Sequence, residues 1–306
     1  MDVTNVTGYL AEHTSSTQAF LFLFVMTSMW LIERSATGES ARTKWRHTAT
    51  NAVFILSALP IQLVIMAFCL GLAAWVTAHR WGLVYFLPHA DNPWIKYGLM
   101  FFALDLLDYV YHFTMHRVAP FWRFHLMHHT DRALDVSTTF REHPGETVLR
   151  NLFLMLWVFL CGASIEILIL RQAVESVANI LSHTSFRLPR RAAGIVGWVF
   201  ITPNLHQAHH HFKLPATNCN YGDVFSFWDR LFGTYLELPK SDTVFGLDTH
   251  MSGVAMRFPI RLNLNRRLVA IGLFGLFAIS VTPSGCAAST EHQVLRYRIN
   301  QPINLS

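Results

Sequence analysis

Histidine is concentrated in one part of this sequence, and its spacing there suits metal binding. Of the 17 histidines, 11 fall between His112 and His211. Most of these form one HxxxH motif and two HxxHH motifs. Residues three or four positions apart share one face of a helix, so each motif can turn its imidazoles toward a common site. The residues of the three motifs are His112 and His116, then His125, His128 and His129, and finally His206, His209 and His210.

The number of these imidazoles indicates two metal ions rather than one. A single histidine on an apolar face is usually a core residue, but packing gives no reason to place eight imidazoles in three such motifs. Each buried ring would need a hydrogen-bond partner. Eight nitrogen donors are too many for one ion, and two ions that share them are the simplest solution. Successive residues of a helix are separated by about 100°, so the rings of one HxxHH motif either converge on one ion or divide between two.

Three further histidines lie near the motifs. His183 follows an apolar stretch that would return the chain to the metal side, so we predict it as a ninth ligand. His143 either lines the site or caps the helix that starts at Pro144. His211 would point away from His206 on the same helix, so we predict no metal contact for it.

Two aspartates continue the first motif toward the N-terminus. Asp105 and Asp108 precede His112 by seven and four residues, so all three lie on one stripe of a helix. A carboxylate one turn from a ligand can accept the second ring proton and so fix the tautomer of the ring. We therefore predict that Asp108 supports a ligand in this way, with a plain salt bridge or direct metal binding as the alternatives.

The composition indicates that these motifs belong to a membrane protein. Hydrophobic residues make up 52% of the chain and charged residues 14%, whereas soluble domains carry roughly 25% charged residues. Several apolar stretches approach the length of about 20 residues that a membrane-spanning helix needs. They cover residues 19–32, 51–78, 94–111, 148–181 and 268–281.

The fourth apolar stretch is interrupted at Gly162 and Ser164, which indicates a helical hairpin. A hairpin returns the chain to the side that it left, as it must if the motifs before and after it form one site. The polar residues Glu166, Arg171 and Glu175 on the returning helix would then face protein rather than lipid.

The distribution of basic residues predicts the orientation. The loop between the first two apolar stretches carries four Lys or Arg residues, whereas residues 79–92 carry only Arg80. The histidine-bearing segments are also basic, and their residues include Arg117, Arg123, Arg132, Arg141, Arg187, Arg190 and Arg191. Positive residues concentrate in the cytoplasmic loops of membrane proteins. We therefore expect a multi-pass protein whose histidine motifs face the cytoplasm, in a bacterial inner membrane or the endoplasmic reticulum.

Together these features predict an all-α integral membrane protein. It would have a helical transmembrane bundle of about four spans plus a C-terminal apolar segment, and a cytoplasmic helical cap that holds a dimetal site. The whole chain, residues 1–306, would form a single membrane-embedded domain. Its parts would be transmembrane helices at 19–111, the first two histidine motifs at 112–147, a membrane hairpin at 148–183, a cap with the third motif at 184–266, and an apolar segment with a tail at 267–306.

The ligand types alone leave the metal open, because imidazole binds zinc, copper, iron and nickel. No HExxH motif is present, which argues against a zinc protease, and the cysteines form no CxxC pair of the kind that holds structural zinc. Neutral ligands leave a metal pair highly charged and electrophilic. Such a site beside lipid suits oxygen activation, a redox task that amino-acid side chains cannot perform.

The order of the motifs around a membrane hairpin (HxxxH, HxxHH, a single histidine and HxxHH) resembles that of the fatty acid hydroxylase superfamily, which includes the sterol desaturases. Two further stretches are similar to that family, namely residues 138–146 and residues 220–235 with the run WDRLFGTY. The resemblance covers roughly residues 95–240.

The resemblance implies a non-haem centre of two iron ions that uses O2 to hydroxylate a C–H bond of a lipid, or to desaturate the lipid at the same site. Electrons would come from an external donor of the ferredoxin or cytochrome b5 type with its reductase. The substrate would be of the fatty acyl, sterol or polar-lipid type. By position, the ligands would be His112, His116, His125, His128, His129, His183, His206, His209 and His210.

Other functions fit the sequence less well. A metal transporter needs ligands inside several spans, whereas these motifs gather at span ends on one side. A zinc-dependent hydrolase of membrane lipids and a metal-binding protein are more distant alternatives. Nothing resembles a nucleic-acid-binding module, and a net charge of +5 is of the kind that membrane proteins collect in cytoplasmic loops. The aromatic residues 225–235 are expected to lie on the membrane surface, above a route for the substrate.

Overall fold

Residues 14–88 and 92–247 are described by a computed structural model, and across these residues the chain is helical, with two isolated bridges and no β-strand. This confirms the all-α prediction for the described part of the chain. The predicted apolar segment and tail at 267–306 lie outside it. The helices are α1 (Thr14–Thr37), α2 (Ala41–Ala78), α3 (Pro93–Arg117), α4 (Ala119–His129), α5 (Pro144–Cys161), α6 (Ile165–Ser182), α7 (Arg190–Val196), α8 (Pro203–His209) and α9 (Phe227–Leu231).

Local signals set the starts of α2 and α3. The Ser40 side chain caps α2 and accepts a hydrogen bond from the Thr43 backbone nitrogen at 3.2 Å. Asn92 caps α3 in the same way, and Pro93 follows in the first turn, where its missing N–H is not needed. From this start α3 runs for 25 residues, which brings the HxxxH motif to its C-terminal end.

Three of the described helical segments are long and apolar enough to cross a membrane, namely Thr17–Thr37, Ala41–Phe86 and Pro144–Cys161. The predicted span at 94–111 lies within α3 and the returning arm of the hairpin is α6, but neither helix reaches the same apolar character. The described residues therefore give three candidate spans, and the predicted number of about four crossings stays a prediction.

Helices α5 and α6 form the predicted hairpin. α5 ends at Gly162, whose φ of +78° lies in the left-handed region that favours glycine. Gly162 packs closely on Gly82, because a Cβ atom built on Gly82 would lie 2.3 Å from the Gly162 nitrogen. This contact places the turn of the hairpin against the loop that follows α2.

The hydrophobic core of the bundle lies where α2, α3, α5 and α6 meet, close to the turn of the hairpin. Small residues of α2 allow the helices to approach, and larger side chains of α3 and α6 fill the space between them. The buried members of this core are Cys69, Ala73, Val76, Val84, Met100, Leu104, Val158, Ala163, Ile167 and Leu168.

Buried charged groups connect the other end of the bundle to the segment that follows α4. The Lys44 ammonium donates hydrogen bonds to the carboxylates of Glu33 and Asp135, each at 2.8 Å, and its side chain is almost fully buried. The Arg141 guanidinium donates to the Met127 carbonyl oxygen at 2.9 Å. These contacts fix the C-terminal end of α4, where the second histidine motif lies.

The polar residues of α6 behave as predicted with one exception. Arg171 and Glu175 are buried in the protein. Glu166 is exposed, so the prediction that it faces protein is wrong. It lies in the first turn of α6, where a carboxylate is favoured by the partial positive charge of the helix N-terminus and needs no buried partner.

Candidate dimetal centre

The structure brings all nine predicted histidine ligands together in two groups. Within each group, the ring nitrogens lie within 4.8 Å of one another. The first group contains His112, His116, His125, His129 and His209, and the second contains His128, His183, His206 and His210.

The two groups are direct neighbours, and both HxxHH motifs divide between them. The ring of His129 in the first group stacks on that of His210 in the second, with centroids 4.5 Å apart. His128 and His129 are adjacent in sequence yet belong to different groups, because successive helical residues point in directions about 100° apart. The rings of each HxxHH motif therefore divide between the two groups instead of converging on one ion.

Backbone carbonyl groups orient several of the rings. The Nδ1 atom of His112 donates to the Tyr221 carbonyl oxygen at 3.0 Å, and that of His209 donates to the Cys219 carbonyl oxygen at 2.7 Å. The Nδ1 atom of His183, which ends α6, donates to a carbonyl oxygen in the last turn of that helix at 2.8 Å. Each bond fixes the tautomer and directs the Nε2 atom of the ring into its group.

The loop that supplies two of these carbonyl groups is itself held by Asp229 of α9. The Asp229 carboxylate accepts hydrogen bonds from the backbone nitrogens of Tyr221 at 2.7 Å and Gly222 at 2.9 Å. It also accepts one from the Thr234 hydroxyl at 2.7 Å. Burial raises the pKa of Asp229 to about 7. The segment around α9 therefore acts on the centre indirectly, because its Asp229 holds the loop whose carbonyl groups orient the rings.

In the first group, the ring nitrogen atoms that make no hydrogen bond are suited to bind a metal ion. The Nε2 atoms of His112, His116 and His209 are buried and make no hydrogen bond with the described residues. A buried nitrogen lone pair without a partner is costly, by about 1–3 kcal/mol. Lone pairs that converge in this way form the donor set expected around a metal bound by imidazole.

In the second group, ring nitrogens face one another directly. The Nε2 atom of His183 lies 3.0 Å from those of both His128 and His206, and the Nε2 atoms of His206 and His210 are 3.2 Å apart. Each neutral imidazole carries only one ring proton, so the three facing pairs of nitrogen atoms cannot all form hydrogen bonds. A central cation removes this conflict, so the second group also fits a metal ion.

Burial keeps these rings neutral, which is the form that binds metal. It lowers the pKa of His183 to about 4 and that of His209 to about 3. Burial together with repulsion from neighbouring rings holds the pKa values of His129 and His210 well below their usual range. A metal ion would therefore displace few protons when it binds at neutral pH.

One carboxylate reaches a ring of the first group. The His125 Nδ1 atom donates to the Glu146 Oε1 atom at 2.6 Å. Glu146 lies in the first turn of α5 and is buried. Residue spacing alone did not identify this pair, since the two residues are 21 positions apart and lie on different helices.

The predicted role of Asp108 is wrong. The Asp108 carboxylate accepts two hydrogen bonds from the Arg171 guanidinium of α6, at 2.5 and 2.9 Å, instead of a ring proton of His112. The Nδ1 proton of His112 goes to the Tyr221 carbonyl group. The salt-bridge alternative holds because a buried arginine competes for the carboxylate more strongly than a neutral imidazole does.

The two remaining histidines lie outside both groups. His143 caps α5, and its Nδ1 atom accepts a hydrogen bond from the Gly145 backbone nitrogen at 2.9 Å. Of its two proposed roles, lining the site and capping the helix, the structure therefore supports capping of α5. The His211 Nδ1 atom accepts a hydrogen bond from the Val244 backbone nitrogen at 3.1 Å, and it belongs to neither group, as predicted.

A cavity of about 270 Å³ lies beside the two groups. Its lining includes Ile55 and Leu59 of α2, which are 36% and 43% exposed. Since both residues also belong to the apolar outer surface of a candidate spanning helix, the cavity reaches the surface that would contact lipid. The imidazoles that line it are His112, His125, His128, His183 and His206.

None of residues 225–235 lines this cavity, so the substrate route predicted beneath them stays a prediction. The segment packs inward instead. The Trp228 indole nitrogen donates to the Asp105 carboxylate at 2.7 Å, and Phe225 stacks on Phe102 with ring centroids 5.0 Å apart. These contacts attach this segment to α3.

Comparisons with known proteins agree with the geometry. Residues 97–234, which include all nine grouped histidines, match the fatty acid hydroxylase family. The ornithine lipid hydroxylase OlsE of Rhizobium tropici is 31% identical over 140 residues, which are 45% of this chain and 41% of that protein. No solved structure matches the chain significantly.

Alkylglycerol monooxygenases are also similar to this chain. That of Caenorhabditis elegans is 28% identical over 161 residues, which are 52% of this chain and 31% of that protein. The human enzyme is 29% identical over 164 residues, 52% of this chain and 34% of that protein. The chain thus spans less than half the length of these relatives, and the similarity lies in the part that carries the histidine groups.

Proposed function

Because residues 97–234 of the chain are a fatty acid hydroxylase domain, we propose that the protein is a membrane-bound, O2-dependent di-iron enzyme that hydroxylates a C–H bond of a lipid. One observation carries the proposal. Nine buried or half-buried imidazoles form adjacent groups of five and four beside a cavity that reaches the apolar surface. Two iron ions, one in each group, would supply oxygen activation and redox chemistry that the side chains lack.

The residues of the chain have defined tasks in this proposal. The nine histidines hold the metal, and the carbonyl groups of the loop at 219–221 together with Glu146 keep the rings in the correct tautomer. The burial of the groups keeps bulk water away from the reaction. The cavity presents the substrate to the five imidazoles that line it.

The reaction needs an external source of electrons. One oxygen atom of O2 enters the C–H bond and the other leaves as water, and two electrons and two protons are consumed. These electrons must be renewed in each turnover, so a redox donor protein of the ferredoxin or cytochrome b5 type, with its reductase, would supply them. It would dock on the side of the histidine groups, which we propose to face the cytoplasm.

The relatives favour a polar lipid as the substrate. One acts on ornithine lipid and others on alkylglycerol, as their names state. The cavity agrees with such a molecule, because its lining combines the apolar side chains of Ile55 and Leu59 with the polar side chains of Gln62, Gln172 and Asn179.

Metal analysis of paired variants tests the centre. We expect two irons per chain in the purified protein, and loss of iron and of activity in His210→Ala. His211→Ala removes the imidazole of the neighbouring residue, which belongs to neither group. The iron content and activity of this variant should equal those of the wild type. Equal effects of the two substitutions would contradict the proposed ligand set. Bound zinc, with activity unaffected by removal of O2, would instead favour a hydrolase.

Lipid mass spectrometry tests the reaction. Cells that express the wild type should contain a lipid that carries one additional oxygen atom, and cells that express His210→Ala should lack it. A product that has lost two hydrogens and gained no oxygen would identify a desaturase with the same centre. If no lipid changes although the protein carries its two irons and a reducing system is present, the proposed activity is wrong.

A further inference from the structure

Three carboxylates meet at one wall of the cavity, outside the two histidine groups. They are Asp108 of α3, Glu175 of α6 and Asp223 of the loop before α9. Their oxygen atoms lie within 4.8 Å of one another, and all three residues line the cavity. Asp108 is one helical turn from His112, so this acidic wall directly adjoins the first histidine group.

The positive charge among the described residues does not balance this wall. The Arg171 guanidinium binds the Asp108 carboxylate at 2.5 and 2.9 Å and the Glu175 carboxylate at 2.9 Å. Asp223 makes no hydrogen bond or ion pair with any residue that the structure describes. Arg150 also lines the cavity, but its ion pair is with Glu142, and it acts on Glu175 only electrostatically. One paired guanidinium therefore serves three carboxylates, although uncompensated charge is costly where solvent is limited.

The arginine also argues against a third metal ion at this wall. Two of the three carboxylates already point toward the Arg171 guanidinium. A divalent cation among the same oxygen atoms would lie close to that positive group and be repelled by it. A singly charged organic cation that pairs mainly with Asp223 meets less repulsion and supplies the missing charge.

A second, independent feature of the cavity wall points to a polar ligand. The Tyr111 hydroxyl is buried and makes no hydrogen bond with the described residues, yet Tyr111 lines the same cavity. It follows Asp108 by three residues on α3 and so lies on the same side of the helix. A buried hydroxyl needs a partner, and a ligand in the cavity can provide one.

We propose that the acidic wall of Asp108, Glu175 and Asp223 binds a cationic head group of the lipid substrate, with a primary ammonium as the simplest case. This inference rests on the proposed function, since it names the class of lipid that the enzyme would oxidise. The ammonium would pair with Asp223 and bond to the Tyr111 hydroxyl, while the apolar chain extends toward Ile55 and Leu59. Because the wall adjoins His112, the oxidised carbon would lie near the head group rather than at the far end of the chain.

Binding measured without turnover tests the inference separately from the reaction. Purified protein is placed in phosphatidylcholine nanodiscs under argon, and bound probe is measured by native mass spectrometry. The probes share one chain and differ in head group: hexadecylammonium, hexadecanol and hexadecyl sulfate. We expect the wild type to bind hexadecylammonium at least about tenfold more tightly than hexadecanol, as one charge-assisted hydrogen bond would give, and hexadecyl sulfate more weakly than either.

Substitutions locate the preference. Asp223→Asn has nearly the same shape without the charge and should remove most of the tenfold preference, whereas Asp223→Glu should keep it. Asp242→Asn, an exposed aspartate away from the cavity, is the matched control and should bind all three probes as the wild type does. An unchanged preference in Asp223→Asn overturns the assignment. If Asp223→Asn does not fold, a wild type that binds hexadecanol as tightly as hexadecylammonium overturns it equally.

The two failures are distinguishable. If the proposed function fails, no lipid is oxygenated, yet the preference for the ammonium probe can still be measured. If only this inference fails, the protein oxygenates lipids with no preference for a cationic head group.

Discussion

The Nδ1 atom of His125 lies 2.6 Å from the Oε1 atom of Glu146, so the start of the hairpin helix α5 is hydrogen-bonded to the first histidine group. The carboxylate accepts the ring proton and directs the other ring nitrogen toward the group. It also links the membrane part of the chain to the metal site, because Glu146 lies in the first turn of α5, directly after its cap at His143. The position of the hairpin and the geometry of the site are therefore coupled.

Removal of the Glu146 carboxylate should weaken metal binding without unfolding the protein. Glu146→Ala leaves the His125 ring free to change tautomer, and we expect metal affinity to fall by about 10–100-fold, as for other partners of metal-bound histidines. Iron retained after a timed challenge with a chelator measures the effect. Glu142→Gln is the control, since Glu142 lines the same cavity but pairs with Arg150. Equal iron retention in the wild type and Glu146→Ala would show that the hydrogen bond is unimportant.

His143 should act on stability and not on metal content. His143→Ala removes the side chain that caps α5, and we expect a loss of about 0.5–2 kcal/mol in the free energy of unfolding. His143→Asn, which can also cap a helix, should restore most of it. Both variants should keep the full iron content. Iron loss in the asparagine variant would mean that His143 contacts the metal after all.

The buried Lys44 should be among the most sensitive positions outside the centre. Lys44→Met leaves the Glu33 carboxylate buried without its cation, whereas Asp135 keeps the His47 ring at 3.2 Å. We expect a loss of about 3–5 kcal/mol in the free energy of unfolding. The exposed Arg42 lies two residues earlier on α2, and Arg42→Met should change stability by less than about 0.5 kcal/mol. Thermal or denaturant unfolding in detergent compares the two. Similar small losses would show that the buried network is mobile or hydrated.

The stability of the metal-free protein should decrease as the pH falls from 7 to 5. The folded-state pKa values of His183 and His209, about 4 and about 3, lie below the ordinary value of 6.5. At a pH between the folded-state pKa and 6.5, each of these rings is protonated in the unfolded chain and neutral in the folded chain. Acid therefore favours unfolding, and the free energy of unfolding falls by up to about 1.4 kcal/mol per pH unit for each ring. The melting temperature at pH 7, 6 and 5 measures the effect, and His183→Asn should make its pH dependence shallower. A melting temperature that is constant over this range would contradict the burial of neutral rings.

The apolar end of the cavity should control access of the lipid. Leu59→Trp fills the space between the outer surface and the histidine groups, and we expect kcat/KM for the lipid to fall by about tenfold or more, which corresponds to about 1.4 kcal/mol. Iron content should not change. Leu63→Trp, one turn further along α2 and exposed but outside the cavity lining, is the matched control. Equal activity of the two variants would place the route of the substrate elsewhere.

Much of the centre could be predicted because its information is local. Imidazoles at spacings of three and four residues must share a helix face, and turn residues inside an apolar stretch require a return of the chain. These two facts, with the family resemblance, identified the nine histidines that the structure brings together. They also identified the hairpin that carries His183 back to them.

Other features depend on contacts between distant segments. Asp108 and His112 are correctly placed on one face of α3, but Arg171 arrives from α6 and takes the carboxylate. The hydrogen bonds from His112 and His209 end on backbone carbonyl groups, which every residue type possesses, so they leave no trace in the sequence. Glu166 was predicted to face protein because it is a polar residue on the returning helix of the hairpin, but its place near the turn exposes it.

The amino-acid sequence alone determined that this is a helical, membrane-associated chain with three histidine motifs, because hydropathy and helical periodicity act over a few residues. Only the tertiary structure decided that the imidazoles divide into five and four, that Glu146 supports His125, and that an acidic wall stands beside the centre. These arrangements depend on how whole helices rotate and pack against one another. Such rotations are set by the sum of many distant contacts rather than by any single motif.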